Sequence, residues 1–319
     1  MSTATNDEAV IEWLLDGDPA VRWQVMRDLL GAPAADWKKE RARTVECGWV
    51  SEMLARQGED GEWPAGRWTA SVWTLLLLVA CGIPPDHPAG QKPLARMFDR
   101  HLPQGRETDP LELLQRMDLC HLGFWLGLGA HFMPDDERLQ PIGAAVLTAQ
   151  YEDGGWNCQL RNYPERRHSS FNTTFNVLEG LRIAAERGVL PKSAVRLAEA
   201  PAVEFMLAHR LYRSDKTGAE ISDRFTRLTY PWHWHYTVLR ALDYLRLTPE
   251  VDDPRLDDPI ELLLTQRLRN GRWPSKGRIP GRPLFDMEKP GTDSRWNTLR
   301  ALRVLQLRRR SAQAATSAS

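Results

Sequence analysis

The chain has 319 residues, enough to bury a large core, and 42 basic residues balance 42 acidic ones, so its formal net charge is zero. That balance argues against nucleic acid or an anionic membrane as the main partner. The longest apolar run, Val72 to Cys81, stops at Gly82-Ile83-Pro84-Pro85, well short of a membrane span, and the polar, acidic N-terminus lacks the character of a signal peptide. Cys47, Cys81, Cys120 and Cys158 are few and widely spaced, the usage expected of a reduced, cytoplasmic protein.

Strand alternation is rare and apolar residues recur at helical spacing, so an all-α fold is expected. Residues 8–31 read as a helical pair with Asp18-Pro19 opening the second member. Glu40 to Ala55 reads as one further helix. The run from Trp68 through Val79 is apolar almost all round and requires burial on most sides. Similar runs follow at 118–130, 169–184, 236–247 and 293–307. Three of them share a pattern: Asn176-Val-Leu-Glu179-Gly-Leu, Thr237-Val-Leu-Arg240-Ala-Leu and Asn297-Thr-Leu-Arg300-Ala-Leu. Amphipathic helices near 136–150, 192–211 and 257–268 alternate with them. Long loops carry Gly, Pro, Asp and Arg at 101–111, 212–230 and 274–292, and an Ala/Ser-rich tail, 311–319, is expected to be disordered.

A short motif occurs three times: Gln57 to Trp63, Gln150 to Trp156 and Gln266 to Trp273, the last with one added residue. Each copy places a glutamine at the end of a helix, a glycine at the reversal and a tryptophan over the join. This motif resembles the "QW" repeat of the terpenoid cyclase and protein prenyltransferase superfamily, squalene–hopene cyclase in particular. The resemblance implies an α/α toroid over 45–310, a ring of helical hairpins around an apolar cavity, with residues 1–44 as a helical extension packed on it.

In such a ring the starts of the inner helices share one rim. Residues brought there would be Trp68 and Thr69; Asp118, Cys120 and His121; Cys158 and His168; Trp232, His233, Trp234 and His235; Asp293 and Arg295. Asp118-Leu119-Cys120 is similar to the Asp-x-Cys pair that supplies two zinc ligands in protein prenyltransferases. His168 or His235 would then be the third ligand, and Cys158 an additional one. Read without that resemblance, Asp118 caps its helix and the thiols are small buried hydrophobes. Glu288, just before the last inner helix, is a candidate acid or base. Glu179 would otherwise form a salt bridge with Arg182 or Arg240. Trp68, Trp73, Trp125, Trp232, Trp234 and Trp296 are placed to line the cavity, whereas Trp63, Trp156 and Trp273 are structural.

Two departures from the family narrow the chemistry. The Asp-x-Asp-Asp motif of alkene-protonating cyclases is missing, and the acid pairs Asp135-Asp136, Asp252-Asp253 and Asp257-Asp258 all fall in polar loops. The basic residues that hold the diphosphate in prenyltransferases are replaced by Gln115 and Glu112; Arg161, Arg166 and Arg167 would have to serve instead. The expected function is a terpenoid cyclase/prenyltransferase-like enzyme, zinc-dependent if Asp118, Cys120 and His168 hold a metal, acting on an isoprenoid or other bulky apolar substrate. A partner subunit would complete the site if the prenyltransferase pattern holds. The alternatives are a non-catalytic toroid that binds a lipid or a partner protein, and a plain helical scaffold.

Overall fold

A computed structural model describes residues 3–318, apart from 67–69, 86, 103–108, 159–164, 166–167 and 278. Helix accounts for 60% and strand for 2%, which makes the chain all-α. The named strands among the described residues are β1 (Trp273–Pro274) and β2 (Asp293–Ser294), antiparallel with Trp273 opposite Ser294.

The N-terminal region holds α1 (Thr3–Leu15) and α2 (Pro19–Gln24), followed by a π-helical turn over Val25–Leu29. Asp18 caps α2 by accepting the Ala20 N–H, with Pro19 in the first turn. The single helix expected over Glu40 to Ala55 is instead divided into α3 (Ala34–Ala42), a 3-10 turn and α4 (Trp49–Leu54). Asp18 is the cause. Its second oxygen accepts the Trp49 N–H at 2.8 Å, which brings the chain at Gly48 so close that a Cβ there would lie 2.3 Å from that carboxylate. Gly48 also has φ +81°, a conformation that side-chain-bearing residues rarely adopt.

Beyond this, buried helices alternate with amphipathic ones. α5 (Ser71–Cys81), α8 (Leu119–Phe132), α10 (Phe171–Glu186), α13 (Val238–Leu245) and the first turns of α15 (Arg295–Ala318) are largely buried. Between them run α6 (Pro88–His101), α9 (Leu139–Thr148), α11 (Lys192–Ala208) and α14 (Asp257–Thr265), with shorter α7 (Pro110–Arg116) and α12 (Asp223–Thr226). α15 continues through 311–318, the stretch expected to be disordered.

The buried helices touch in series. α5 packs on α8, and α8 on α10, where Gly123 and Gly180 let the backbones meet: a Cβ on Gly180 would lie 2.1 Å from the Gly123 carbonyl oxygen. Arg240 of α13 pairs with Glu179 of α10, and Asp243 of α13 with Arg300 of α15. Arg303 of α15 donates to Gln24 at the end of α2. The Trp23 indole and the Gln24 amide then donate to the Cys81 and Ala80 carbonyls, returning to α5. α2, within the stretch read from the sequence as an extension, is thus part of this series.

The three tryptophan turns share one hydrogen-bond plan. Each indole N–H donates to the carbonyl ten residues earlier in the preceding helix: Trp63 to Met53, Trp156 to Val146 and Trp273 to Leu263, at 2.7–2.8 Å. Each tryptophan backbone N–H reaches a hydroxyl on the following helix, from Ser71, Thr174 or Thr298. The Gln57 and Gln150 side chains donate to the Gly61 and Gly154 carbonyls, and also to Ala89 and Ala198. In the third turn Arg267 donates to the Gly271 carbonyl, while Gln266 reaches the Thr226 carbonyl. Arg267, not Gln266, is therefore the structural counterpart of the glutamines, and the third copy has no added residue.

Candidate functional site

A cavity of about 260 Å³ opens between α5, α10, α13 and α15. The first three contribute residues at i, i+3 and i+4: Leu76, Val79 and Ala80; Glu179, Arg182 and Ile183; Arg240, Asp243 and Tyr244. α15 adds Arg300 and Arg303 at i and i+3. Glu179, Arg240 and Arg300 are the fourth residues of the three-fold pattern Asn/Thr-x-Leu-(charged)-Gly/Ala-Leu, so one repeated position supplies three walls. Trp232 and Trp296 complete the lining with rings 6.2 Å apart, and Gln24 adds the N-terminal contribution. One side is apolar, the other strongly charged.

The charged side is an ordered network. The Asp243 carboxylate accepts from Arg246, from Arg300 at 2.8 Å and from Arg303 at 2.6 Å. Arg303 also donates to Asp28 and to Gln24. Burial by itself would raise the Asp243 pKa, but the guanidiniums of Arg303, Arg300 and Arg246 together outweigh it and hold the carboxyl well below the usual carboxylate range. Glu179 forms a two-pronged pair with Arg240, and Arg182 pairs with Glu199 at 2.8 Å. The Arg300 guanidinium carbon lies over Trp232, 4.2 Å from the ring centre.

A wider pocket of about 470 Å³ lies at the start of α8, with Asp118, His121, Trp125, His101 and Arg100 among its lining. Burial pushes the His121 pKa down, against the opposing charge of Asp118. Cys120 and Cys158 meet at the same helix start, outside the pocket lining, although the chain separates them widely. Cys158 Sγ accepts the Cys120 backbone N–H at 3.1 Å and the Thr173 hydroxyl at 3.2 Å. The Cys120 thiol also donates to it, which lowers the Cys158 pKa and raises that of Cys120. A sulfur at a helix N-terminus surrounded by donors favours its thiolate.

The structure thus brings Asp118, Cys120 and Cys158 to one helix start, although the Asp118 side chain does not cap α8. It places the other candidates elsewhere. His168 is exposed in its loop, its carbonyl accepting from Asn157. His235 lies against Trp234, with its carbonyl taken by Arg240. Among the described residues no three His, Cys, Asp or Glu side chains are gathered in a metal-holding group. Glu288 is turned onto the start of α15: it accepts from the Ser294 hydroxyl and the Trp296 N–H, and burial raises its pKa. A pocket of about 20 Å³ lies beside it, room for about one water molecule.

Of the tryptophans expected to line a cavity, Trp232 and Trp296 line the central one and Trp125 the wider pocket. Trp73 packs edge-on against Phe124 and His233, Trp234 packs at a tilt against His235, and Trp68 lies outside the described residues, as do Arg161, Arg166 and Arg167. One member of each acid pair is bound by an arginine, and Asp257-Asp258 lies in the first turn of α14 rather than in a loop. Arg138 keeps Asp136 low, Arg255 keeps Asp253 low, and Arg213 does the same for Asp258.

Asp28, Asp243, Arg300 and Arg303 were not among the sequence candidates. The signal that would have found the last three was the charged residue recurring at one position of the buried helices, and again three residues later. No model of a known protein family matches the chain, and no curated protein matches it.

Proposed function

We propose that the chain is an α/α toroid of the terpenoid cyclase and protein prenyltransferase kind, acting as an enzyme on a small molecule with an apolar body held between its inner helices. The observation that carries this reading is the central cavity, to which successive helices present the same repeated positions. The serial contacts from α5 through α8, α10, α13, α15 and α2 back to α5 support the ring. Leu76, Val79, Ile183 and the Trp232 and Trp296 faces would hold the apolar body, and aromatic faces also stabilise positive charge developing in a reacting hydrocarbon. The route through one of these acid pairs is disfavoured, because arginine lowers the pKa of Asp136, Asp253 and Asp258.

The isoprenoid alcohol geraniol is a direct probe. It is expected to quench the fluorescence of Trp232 and Trp296 in the wild type and to lose that effect in Val79→Trp/Ile183→Phe, which fills the cavity. Equal binding by the filled variant would refute the reading. A purely sequestering protein, the competing possibility, would release every isoprenoid unchanged after prolonged incubation.

A zinc ion at the start of α8 is a second reading, motivated by the meeting of Asp118, Cys120 and Cys158 at that helix start. Their side chains do not form a three-ligand set as they stand and would have to close around the ion, where zinc would supply a polarising charge. Metal analysis is expected to find one zinc per chain, lost in Cys158→Ser; protein purified in zinc-containing buffer without bound metal would end this reading.

A further inference from the structure

The charged wall of the central cavity has donors to spare and no matching acceptors. Arg300 is more than nine-tenths buried and its Nε donates to Asp243; its two terminal nitrogens bond no other described residue and are not among the fully enclosed polar atoms, which leaves them open to the cavity that Arg300 lines. Arg303 Nε and the Trp296 indole N–H, in walls of the same cavity, are also without acceptors. Buried donors left unmatched cost free energy until something supplies oxygen atoms.

Charge points the same way. Arg246, Arg300 and Arg303 face Asp28 and Asp243, three guanidiniums against two carboxylates. Arg27 reaches Asp28 from the solvent side, where its charge is screened. The neighbouring Arg240–Glu179 and Arg182–Glu199 pairs are balanced. Glu186 also lines the cavity, but it is exposed and its charge is screened like that of Arg27. Within the buried part of the wall one positive charge is therefore left over; burial lowers the pKa of both Arg246 and Arg300, and of the two only Arg300 lines the cavity.

We propose that Arg300 anchors the carboxylate of a small amphipathic monocarboxylic acid, whose apolar tail lies against Leu76, Val79 and Ile183. This inference rests on the reading of the central cavity as the ligand site and names the head group of its ligand. A planar guanidinium edge matches a carboxylate through two parallel N–H···O bonds, and a single negative charge neutralises the surplus. A phosphate ester, carrying up to about two charges, would leave the interior negative. The cavity volume equals that of about nine liquid waters, which suits a medium-length chain rather than a sterol-sized body.

Calorimetric titration of the full chain with octanol, octanoate and octyl phosphate tests this. Octanoate is expected to bind at least tenfold more tightly than either of the others. In Arg300→Met octanoate affinity should fall about tenfold, to that of octanol, while octanol binding is unchanged; Arg300→Lys should keep a reduced preference for the acid. Equal binding of octanol and octanoate, a preference for octyl phosphate, or full octanoate affinity in folded Arg300→Met would overturn the carboxylate anchor while leaving the cavity reading in place. Failure of all three ligands to bind would remove both. Should Arg300→Met not fold, the wild-type ranking of the three ligands decides.

Discussion

The three tryptophan turns and the central cavity are built from similar residue types, yet their polar groups are treated in opposite ways. In the turns Gln57, Gln150 and Arg267, the three indoles and the three tryptophan N–H groups all meet a carbonyl or hydroxyl, and Arg272 Nε of the third turn is the exception among the donors. In the cavity the arginines outnumber their acceptors, and Trp296, unlike Trp63, Trp156 and Trp273, keeps its indole N–H unmatched. Satisfied donors mark joints that hold the helices together; leftover donors mark a surface arranged for something the chain does not itself contain.

The largest effect that sharpens this contrast is expected at Asp243. Asp243→Leu leaves Arg246, Arg300 and Arg303 facing Asp28 alone and should cost about 3–5 kcal/mol in urea unfolding. A loss under about 1 kcal/mol would mean that the network is solvated rather than buried.

Acid should act next, and on both sides of the comparison. Burial lowers His131 to about 4 and His233 to about 3, so between the ordinary histidine pKa and those values the unfolded chain binds protons that the folded chain refuses. Stability should therefore fall as pH drops below about 6.5, by roughly 3 kcal/mol from His131. Asp243 and Asp28 act with the same sign further down, because their folded pKa values are depressed and their contribution disappears as they protonate. Urea midpoints measured from pH 7 to 4 should decline, and His131→Asn should flatten the upper part of that decline. A level profile in the wild type would contradict buried neutral imidazoles.

The smallest change is expected in the third turn. Arg267→Gln supplies the side chain used by the other two turns; it gives up the pair with Asp7 and the contact over Trp273, and should shift stability by less than about 1 kcal/mol. Arg267→Ala leaves the Gly271 carbonyl without this donor and should cost more, about 1–2 kcal/mol. If glutamine were no better than alanine, the equivalence of the three turns would fail.

The helical fold, its alternation of buried and amphipathic helices and the three turns were legible in the sequence because they rest on local spacing. The third turn was read one residue out of register, since Gln266 hides the fact that Arg267 stands at the equivalent distance from Trp273. The Glu179–Arg240 pair was foreseen as one of two options. The Asp243 network was not, because its members sit on elements far apart in the chain and only packing brings them together. For the rim residues, position near a helix start fixes height along the axis but not direction around it. Cys120 therefore meets Cys158, while neighbouring His121 turns to the wider pocket.

The clasp between the two ends of the chain bears on how the molecule is made. Gln24 and Asp28 wait for Arg303, so the charged wall of the cavity has no finished form until α15 leaves the ribosome. A nascent polypeptide lacking α15 would expose Asp243 and the Leu76 face at the same moment, an intermediate suited to chaperone capture and unable to take up a ligand during translation.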